Sequence, residues 1–208
     1  EVLPEAAIVE PLAQAEELSF WDAELARDGG YVFAVRSAAL SDLAALAGEA
    51  HASLAPAEEL RVEYRPRLDG KTVESLRDAD SAAAAYGEAL RRGVPRDVAA
   101  GMTLQGPHRD DIAFFLDGEP AAGFASRAQQ RTIALALRLA EARLLEARRG
   151  EPPLLLLDDI LSEMDAARGR SVIEAVSAYD QLLVTATDLD RFPGGFLERA
   201  AVFQVAAG

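Results

Sequence analysis

Between the Gly150-Glu151-Pro152-Pro153 break and Asp165 the sequence reads LLLLDDILSEMD, and the six residues Leu154 to Asp159 restrict the fold more than any other stretch. The leucine run has no polar alternation and is too short for a helix with its own caps. It predicts a strand covered on both faces, as in a parallel sheet. Asp158 and Asp159 then stand at the strand's carboxyl end, where open α/β sheets bind ligands. Upstream, Ser126 and Gln129 have the spacing of a capping box. Ile133, Leu137, Ala140 and Leu144 continue at helical spacing until Gly150 and Pro152 stop the helix. Downstream, a helix from Ala166 to Ser177 with Val172, Ile173 and Val176 inward leads to a second buried strand, Leu182 to Thr187. Strand, helix and strand on short connections imply a right-handed parallel crossover.

At 208 residues the chain is long enough for one good-sized domain or two small ones. A hydrophobic share of 50% with 27% charged residues excludes disorder as a general description. The net charge of -14 repels duplex DNA at long range, so nucleic-acid binding needs a local basic patch, a partner or further sequence. With no cysteine there are no disulfides and no thiolate metal sites, which suits a reducing cytosol. No apolar run approaches the roughly 20 residues that span a bilayer.

Before Gly101 the pattern is mostly helical. Pro4 and Pro11 frame a connecting segment. A helix from Leu12, with Leu12, Ala15, Leu18 and Ala23 on one side, is interrupted by Gly29-Gly30. Trp21 is expected to pack between helices, with a stacking platform for a base as the alternative. A second helix covers Tyr31 to Ala55, with Leu40, Leu43 and Leu46 at its core face and His51 as a surface or capping residue. Leu60, Val62 and Tyr64 alternate with charges and predict a strand. A helical run from Ser75 to Arg92 is expected to close at Gly93-Val94-Pro95. Arg61, Arg65, Arg67, Arg91, Arg92 and Arg96 form either a basic patch or a set of solvated charges. From Thr103 a short strand to Gln105, then a hairpin through Asp117-Gly118, starts the alternating strands and helices of α/β layers. Phe192-Pro193-Gly194-Gly195 reads as a loop and Ala201 to Val205 as a last strand.

Five segments in order carry a resemblance. GPHRDD (Gly106 to Asp111), Ser126-Arg127-Ala128-Gln129 continuing as QQRT, Leu154 to Asp159, Ser162-Glu163-Met164-Asp165, and Thr185-Ala186-Thr187-Asp188 resemble the second half of an ABC-type ATPase. Within that superfamily they are similar to the RecF family of bacterial recombination-repair proteins. The resemblance implies an α/β fold: a partial ABC-type ATPase head over 102-208, with a mostly parallel sheet and flanking helices. A mostly helical second lobe over 1-101, with a short strand near 60-65, would precede it.

By resemblance, Asp158 holds Mg2+ and Asp159 orients or deprotonates the attacking water. Ser126, Arg127, Ala128 and Gln129 form the signature that meets ATP held by the opposite subunit. Asp165 is the D-loop aspartate, Thr185 and Thr187 the switch, and His108 and Arg109 near-site residues. The chemistry suits these assignments. Mg2+ takes hard oxygen ligands and keeps its waters, and a helix amino terminus binds phosphate without a basic side chain. Two departures matter. Asp159 stands where ABC ATPases generally have Glu, in agreement with RecF, and Ala128 stands where the signature has a second Gly, so one methyl occupies a close-approach site. Structural readings stand beside these: Asp165 as a helix cap, β-branched Thr185 and Thr187 as strand formers, and His108-Arg109 in a turn salt-bridged to Asp110 and Asp111.

A kinase reading of His108-Arg109-Asp110 fails because Phe115 stands where the metal-binding Asn belongs. A zinc site fails for want of ligands. No G-x-x-x-x-G-K-[ST] occurs, and the sole lysine, Lys71, has no glycine frame. With Glu1 rather than Met at the start, the chain is expected to be a carboxyl-terminal fragment, inactive alone.

The complete protein is expected to be cytoplasmic, to bind ATP, Mg2+ and DNA at single-strand/double-strand junctions, and to dimerise on ATP. It would assist RecA loading with RecO and RecR. The alternatives are a non-enzymatic truncated interaction module, or an SMC-like head, which the absence of a heptad coiled coil disfavours.

Overall fold

Alanine and leucine dominate the first quarter of the chain, and in a computed structural model that quarter is one helix, α1 (Ala6–Leu54). The structure describes the backbone of residues 6–162 and 164–205 and the side chains of 18–162 and 164–205. Pro4, Glu163 and the side chains of Leu12 and Ala15 therefore lie outside the described residues. Gly29 and Gly30 do not interrupt α1. A Cβ on Gly30 would lie 2.5 Å from the Ala83 nitrogen, and one on Gly29 would lie 2.5 Å from the Tyr86 ring. The pair is a contact site for a second helix, α2 (Ala79–Ala100).

The buried stripe of α1 is accordingly Ala26, Gly29, Gly30 and Phe33, at i, i+3, i+4 and i+7. Leu18 and Ala23 are exposed, and so is Trp21, which stacks edge-to-face on Phe20 at 5.3 Å instead of packing between helices. His51 is fully buried, not a surface residue. By length and composition the part of α1 from Leu18 to Leu54 is long and apolar enough to cross a membrane, although no unbroken apolar run in it is. Alanine supplies much of that hydropathy, and Phe33, Ala47, Ala50 and Leu54 are buried in protein cores.

α2 begins at Asp78, whose carboxylate accepts the Ser81 N–H at 2.8 Å. It continues through Gly93 and Pro95, past the expected stop. Proline in a helix interior costs about 3 kcal/mol, and closure comes later. Gly101 takes a left-handed φ of 65°, and the Asp97 carbonyl and carboxylate accept from Met102 and Leu104.

The chain packs as two units, one of residues up to Ser41 with Glu63–Ile112, the other of Asp42–Val62 with Ala113–Gly208. α1 and two strands, β1 (Leu60–Arg65) and β2 (Asp111–Leu116), each contribute residues to both. In the first unit Phe33, Leu68, Leu76, Tyr86 and Leu90 form the core, with Phe33 and Tyr86 edge-to-face at 5.7 Å.

Strand order in the first sheet is β1-β2-β3, with β3 (Glu119–Pro120) antiparallel to β2. The expected hairpin is present. Asp117 and Gly118 both have positive φ, 50° and 86°, as a two-residue primed turn requires. After a short helix, α3 (Ala121–Phe124), the second unit contains α4 (Arg127–Arg149), β4 (Leu155–Asp158), α5 (Ala166–Val176), β5 (Leu182–Thr185) and a short α6 (Gly194–Leu197). Its core joins Ala47, Ala50 and Leu54 to Ile133, Leu139, Leu155, Leu157, Val172 and Val176.

β4 and β5 pair in parallel from Leu155↔Leu182 to Asp158↔Thr185. Among the described residues this is the whole parallel sheet. β4 is not covered on both faces: Leu155 and Leu157 are buried while Leu156 is 63% exposed, and Leu183 on β5 is 58% exposed. Nor are 103–105 and 201–205 strands; neither segment forms a ladder, and backbone pairing, more than apolar content, defines a strand. The Phe192 loop instead starts a turn of helix, with Phe192 stacked on Phe196 at 5.5 Å.

The glycines of α1 give a test of sign. Gly48 has ordinary space, with the Leu60 carbonyl 3.5 Å from a Cβ. Gly48→Ala should therefore stabilise by about 0.5–1 kcal/mol through helix propensity. Gly30→Ala meets Ala83 backbone and should destabilise by about 1–3 kcal/mol. Urea unfolding midpoints of the two variants should move in opposite directions.

Candidate functional site

Parallel pairing of β4 with β5 sets the register that brings Asp158 beside Thr185. The Thr185 hydroxyl donates to Asp158 Oδ1, and the Asp159 N–H donates to Thr185 O at 3.2 Å and to Thr185 Oγ1 at 3.1 Å. Asp158 is exposed and Asp159 half-buried. Asp159 has φ of +44°, a left-handed conformation that costs a non-glycine residue energy and recurs at functional sites.

The loop that follows is tied down by two arginines the sequence did not single out for it. Arg131 on α4 donates to Ser162 Oγ at 2.9 Å, and that hydroxyl donates to the Asp159 carbonyl at 3.1 Å. Arg191 donates to the carbonyls of Leu161 at 2.6 Å and Met164 at 3.2 Å. Asp165 then caps α5, accepting the N–H groups of Ala167 and Arg168 at 2.9 Å each. Thr187 is exposed in the segment after β5.

At the start of α4 the capping box is complete. Ser126 Oγ accepts the Gln129 N–H at 3.2 Å, and Gln129 Oε1 accepts the Ser126 N–H at 2.8 Å. Ser126 and Arg127 are exposed, while Ala128 and Gln129 are half-buried. The free end of this 23-residue helix therefore presents backbone N–H groups and its macrodipole to solvent. Gln129 has a second partner: its Nε2 donates to Glu58 Oε1 at 3.2 Å.

His108 and Arg109 belong to the other packing unit. They do not pair with Asp110 and Asp111. His108 Nε2 lies 3.0 Å from the Thr103 carbonyl and Arg109 Nη2 lies 2.7 Å from Met102 Sδ. The acid of the motif with the sheltered side chain is Asp110, whose carboxylate side chain is 5% exposed and accepts from the Tyr64 hydroxyl, from Arg36 at 3.0 Å and from the Arg67 N–H at 2.9 Å. Burial and the Asp110 carboxylate push the Tyr64 phenol well above its usual value. Gly106, at φ of 128°, is required because a Cβ would run into the Tyr86 hydroxyl. Sequence alone could not rank Asp110 over Asp111. The distinction comes from Tyr64 and Arg36, far away along the chain.

The arginines proposed as a basic patch include Arg92, 3.7 Å from Glu88, and Arg65, 3.6 Å from Glu63. Arg61 lies 4.2 Å over the Phe115 ring. Arg92 and Arg65 thus pair within their own elements, whereas Arg61 reaches from β1 to a ring of β2.

Solved structures of the recombination mediator protein RecF-ATPrS and RecF-ATP in the RecFOR pathway match the chain with TM-scores of 0.71 and 0.70 at 26% and 27% identity. Each match covers 84% of this chain and 46% of that one, and the fold is thereby a partial ABC-type ATPase fold of the α/β class. "DNA replication and repair protein RecF" of Chloroflexus aggregans is 42% identical over 194 residues, covering 92% of this chain and 49% of the relative. The RecF of Synechococcus is 37% identical over 203 residues, covering 96% and 53%. Over most of its own length the chain is a homologue of these RecF proteins. It spans about half the length of the curated relatives it matches. No protein-family model matches it.

Two measurements probe this geometry. Thr185→Val removes both a donor to Asp158 and an acceptor for the Asp159 N–H, and should cost about 1 kcal/mol in urea unfolding. The Asp165 carboxyl is held below its usual value first by the Arg168 N–H and also by that of Ala167. The folded pKa is thus below the unfolded one, so the cap contributes fully above the ordinary aspartate range and is lost as pH falls through the lower folded value. Carboxyl-carbon NMR should give Asp165 a midpoint below the peptide value of about 3.9. A midpoint at or above it would remove the cap.

Proposed function

We propose that the chain supplies the signature, Walker B, D-loop and switch portion of a RecF-like DNA-repair ATPase that binds ATP. The observation that carries this reading is the end of the parallel pair: Asp158 bonded by the Thr185 hydroxyl, followed by Asp159 in a left-handed turn. In sequence terms, 102-208 is the carboxyl-terminal part of the head and 1-101 the helical second lobe. The apolar face left by Leu156 and Leu183 is one that the remainder of a full-length relative has the length to cover.

The donor set fits Mg2+. Adjacent carboxylates without nitrogen or sulfur donors suit a hard cation, and among the described residues no larger His, Cys, Asp or Glu cluster competes. Asp158 would hold the ion directly or through water, and the ion would supply charge stabilisation at the phosphates. Asp159 orients the attacking water and accepts its proton. Its side chain is shorter than the usual Glu, which is consistent with slow turnover.

The amino end of α4, with Ser126 as donor and Arg127 beside it, caps the terminal phosphate of ATP bound by an opposing subunit. Asp165 links the two sites across that dimer, and Thr185 and Thr187 sense the phosphate. His108 and Arg109 stay near-site candidates. The complete protein would be a cytoplasmic, ATP-dependent homodimer that engages DNA junctions and assists RecA loading with RecO and RecR.

A second reading, a non-enzymatic interaction module, is favoured by the absence of a phosphate-binding loop from these residues and by Ala128. Neither feature explains why Asp158, Asp159 and Ser126 are kept.

The 208-residue chain alone is expected neither to hold ATP tightly nor to turn it over, and normal turnover in an ATPase assay would contradict this. In a full-length RecF-like protein carrying this sequence, Asp159→Asn should leave ATP-bound dimers intact and slow hydrolysis by about 10²-fold or more, the scale of a general base. Hydrolysis at the unaltered rate would take Asp159 out of the role.

A further inference from the structure

Glu58 lies in the connection between α1 and β1, outside every motif, yet its side chain is only 13% exposed. A carboxylate so sheltered is stable when its oxygens are paired. Oε1 accepts from two directions at once. Gln129 Nε2 donates to it at 3.2 Å from the first turn of α4, and Arg168 Nη2 donates to it from the first turn of α5.

Both donors are already committed to a helix cap. Gln129 closes the capping box on Ser126. Arg168 gives its backbone N–H to Asp165 Oδ1 at 2.9 Å, and its Nε lies 3.8 Å from Asp165 Oδ2. A second route runs in parallel: Arg168 Nη1 donates to Thr132 Oγ1 at 3.2 Å, and that hydroxyl, 1% exposed, donates to the Ala128 carbonyl at 2.9 Å. The other face of Glu58 is occupied by the buried His51, whose Nε2 is 3.8 Å from Glu58 Oε2, and neither of those atoms has a hydrogen-bond partner. Oε1 alone therefore carries the part of the linkage that runs through Glu58. Burial of the His51 imidazole behind it holds its pKa below the usual value.

We propose that Glu58 is a positioning residue that holds the amino-terminal turn of α4 and that of α5 as one rigid piece, so that Ser126 and Asp165 keep a fixed relation. The proposal rests on the ATP-site reading for its functional meaning. A phosphate gripped by Ser126 would then set the orientation of Asp165 through a charge-assisted bond. A single buried ion pair is weak evidence for stability alone. Here its partners are the two residues that also build the two caps.

Amide hydrogen exchange on the 208-residue chain decides the linkage without nucleotide. Glu58→Ala should raise exchange at the Gln129 amide and at the Ala167 and Arg168 amides together, by at least tenfold, while Leu155 and Asp159 in the β4–β5 pair stay within twofold. Glu58→Gln keeps an acceptor for Gln129 and loses the charge that faces Arg168. It should raise exchange more at Ala167 and Arg168 than at Gln129, and it serves if the alanine variant does not fold. A response at only one cap in Glu58→Ala, no response, or a uniform rise across all amides in Glu58→Gln would overturn the proposal.

In the full-length RecF-like protein carrying this sequence, Glu58→Gln should weaken ATP-dependent self-association at least fivefold and leave the ATP Kd of the single subunit within twofold. Loss of both, or of neither, would count against positioning. Absence of ATP-dependent association in the unaltered protein would instead sink the ATP-site reading, and the exchange result would still decide whether Glu58 joins the caps.

Discussion

The pairing of β4 with β5 is the interaction on which the site depends. Four residues on each strand fix a parallel register, and the last pair is Asp158 with Thr185. The ladder does not simply stop there. The Asp159 N–H still reaches the Thr185 carbonyl and hydroxyl, so the chain turns with its backbone donor satisfied even as φ becomes positive. An unpaired N–H at that point would cost about 1–3 kcal/mol if buried. Thr185 thus pays for the turn that separates the two carboxylates. Valine would suit the strand as well, but it could not supply the oxygen.

Around that turn the second unit uses cations as clamps. Arg131, Arg168 and Arg191 come from two helices and the segment after β5; Arg131 and Arg191 end on oxygen atoms of the loop after β4, and Arg168 on Thr132 of α4 and on Glu58. Guanidinium groups suit this work because one planar head reaches several acceptors at once. The net acidity of the chain says nothing of it, since these arginines are spent internally.

How much was legible in the sequence varied with the range of the interaction. Ser126 and Gln129 are three residues apart, and their reciprocal bonds follow from local geometry alone; the box is present as read. The Asp117-Gly118 turn and the Asp165 cap are equally local. Gly29-Gly30 was misread because a glycine pair has two physical uses, to end a helix or to let another backbone approach, and only Ala83 and Tyr86 choose between them. His51 was misread for the same reason: a polar residue on a helix looks solvated until the elements that bury it are folded around it.

Composition and spacing determined where helices start and stop around the motifs and which strand would lead to the two aspartates, and the ordered short segments carried the likeness to RecF, because each of these rests on neighbours within a few turns or on the order of short segments. Tertiary structure alone decided that Asp110 is the acid of GPHRDD with the sheltered side chain and that Glu58 joins two helix caps. It also decided that one face of β4 stays open. Those outcomes depend on groups tens of residues apart, whose meeting costs chain entropy that no local pattern records.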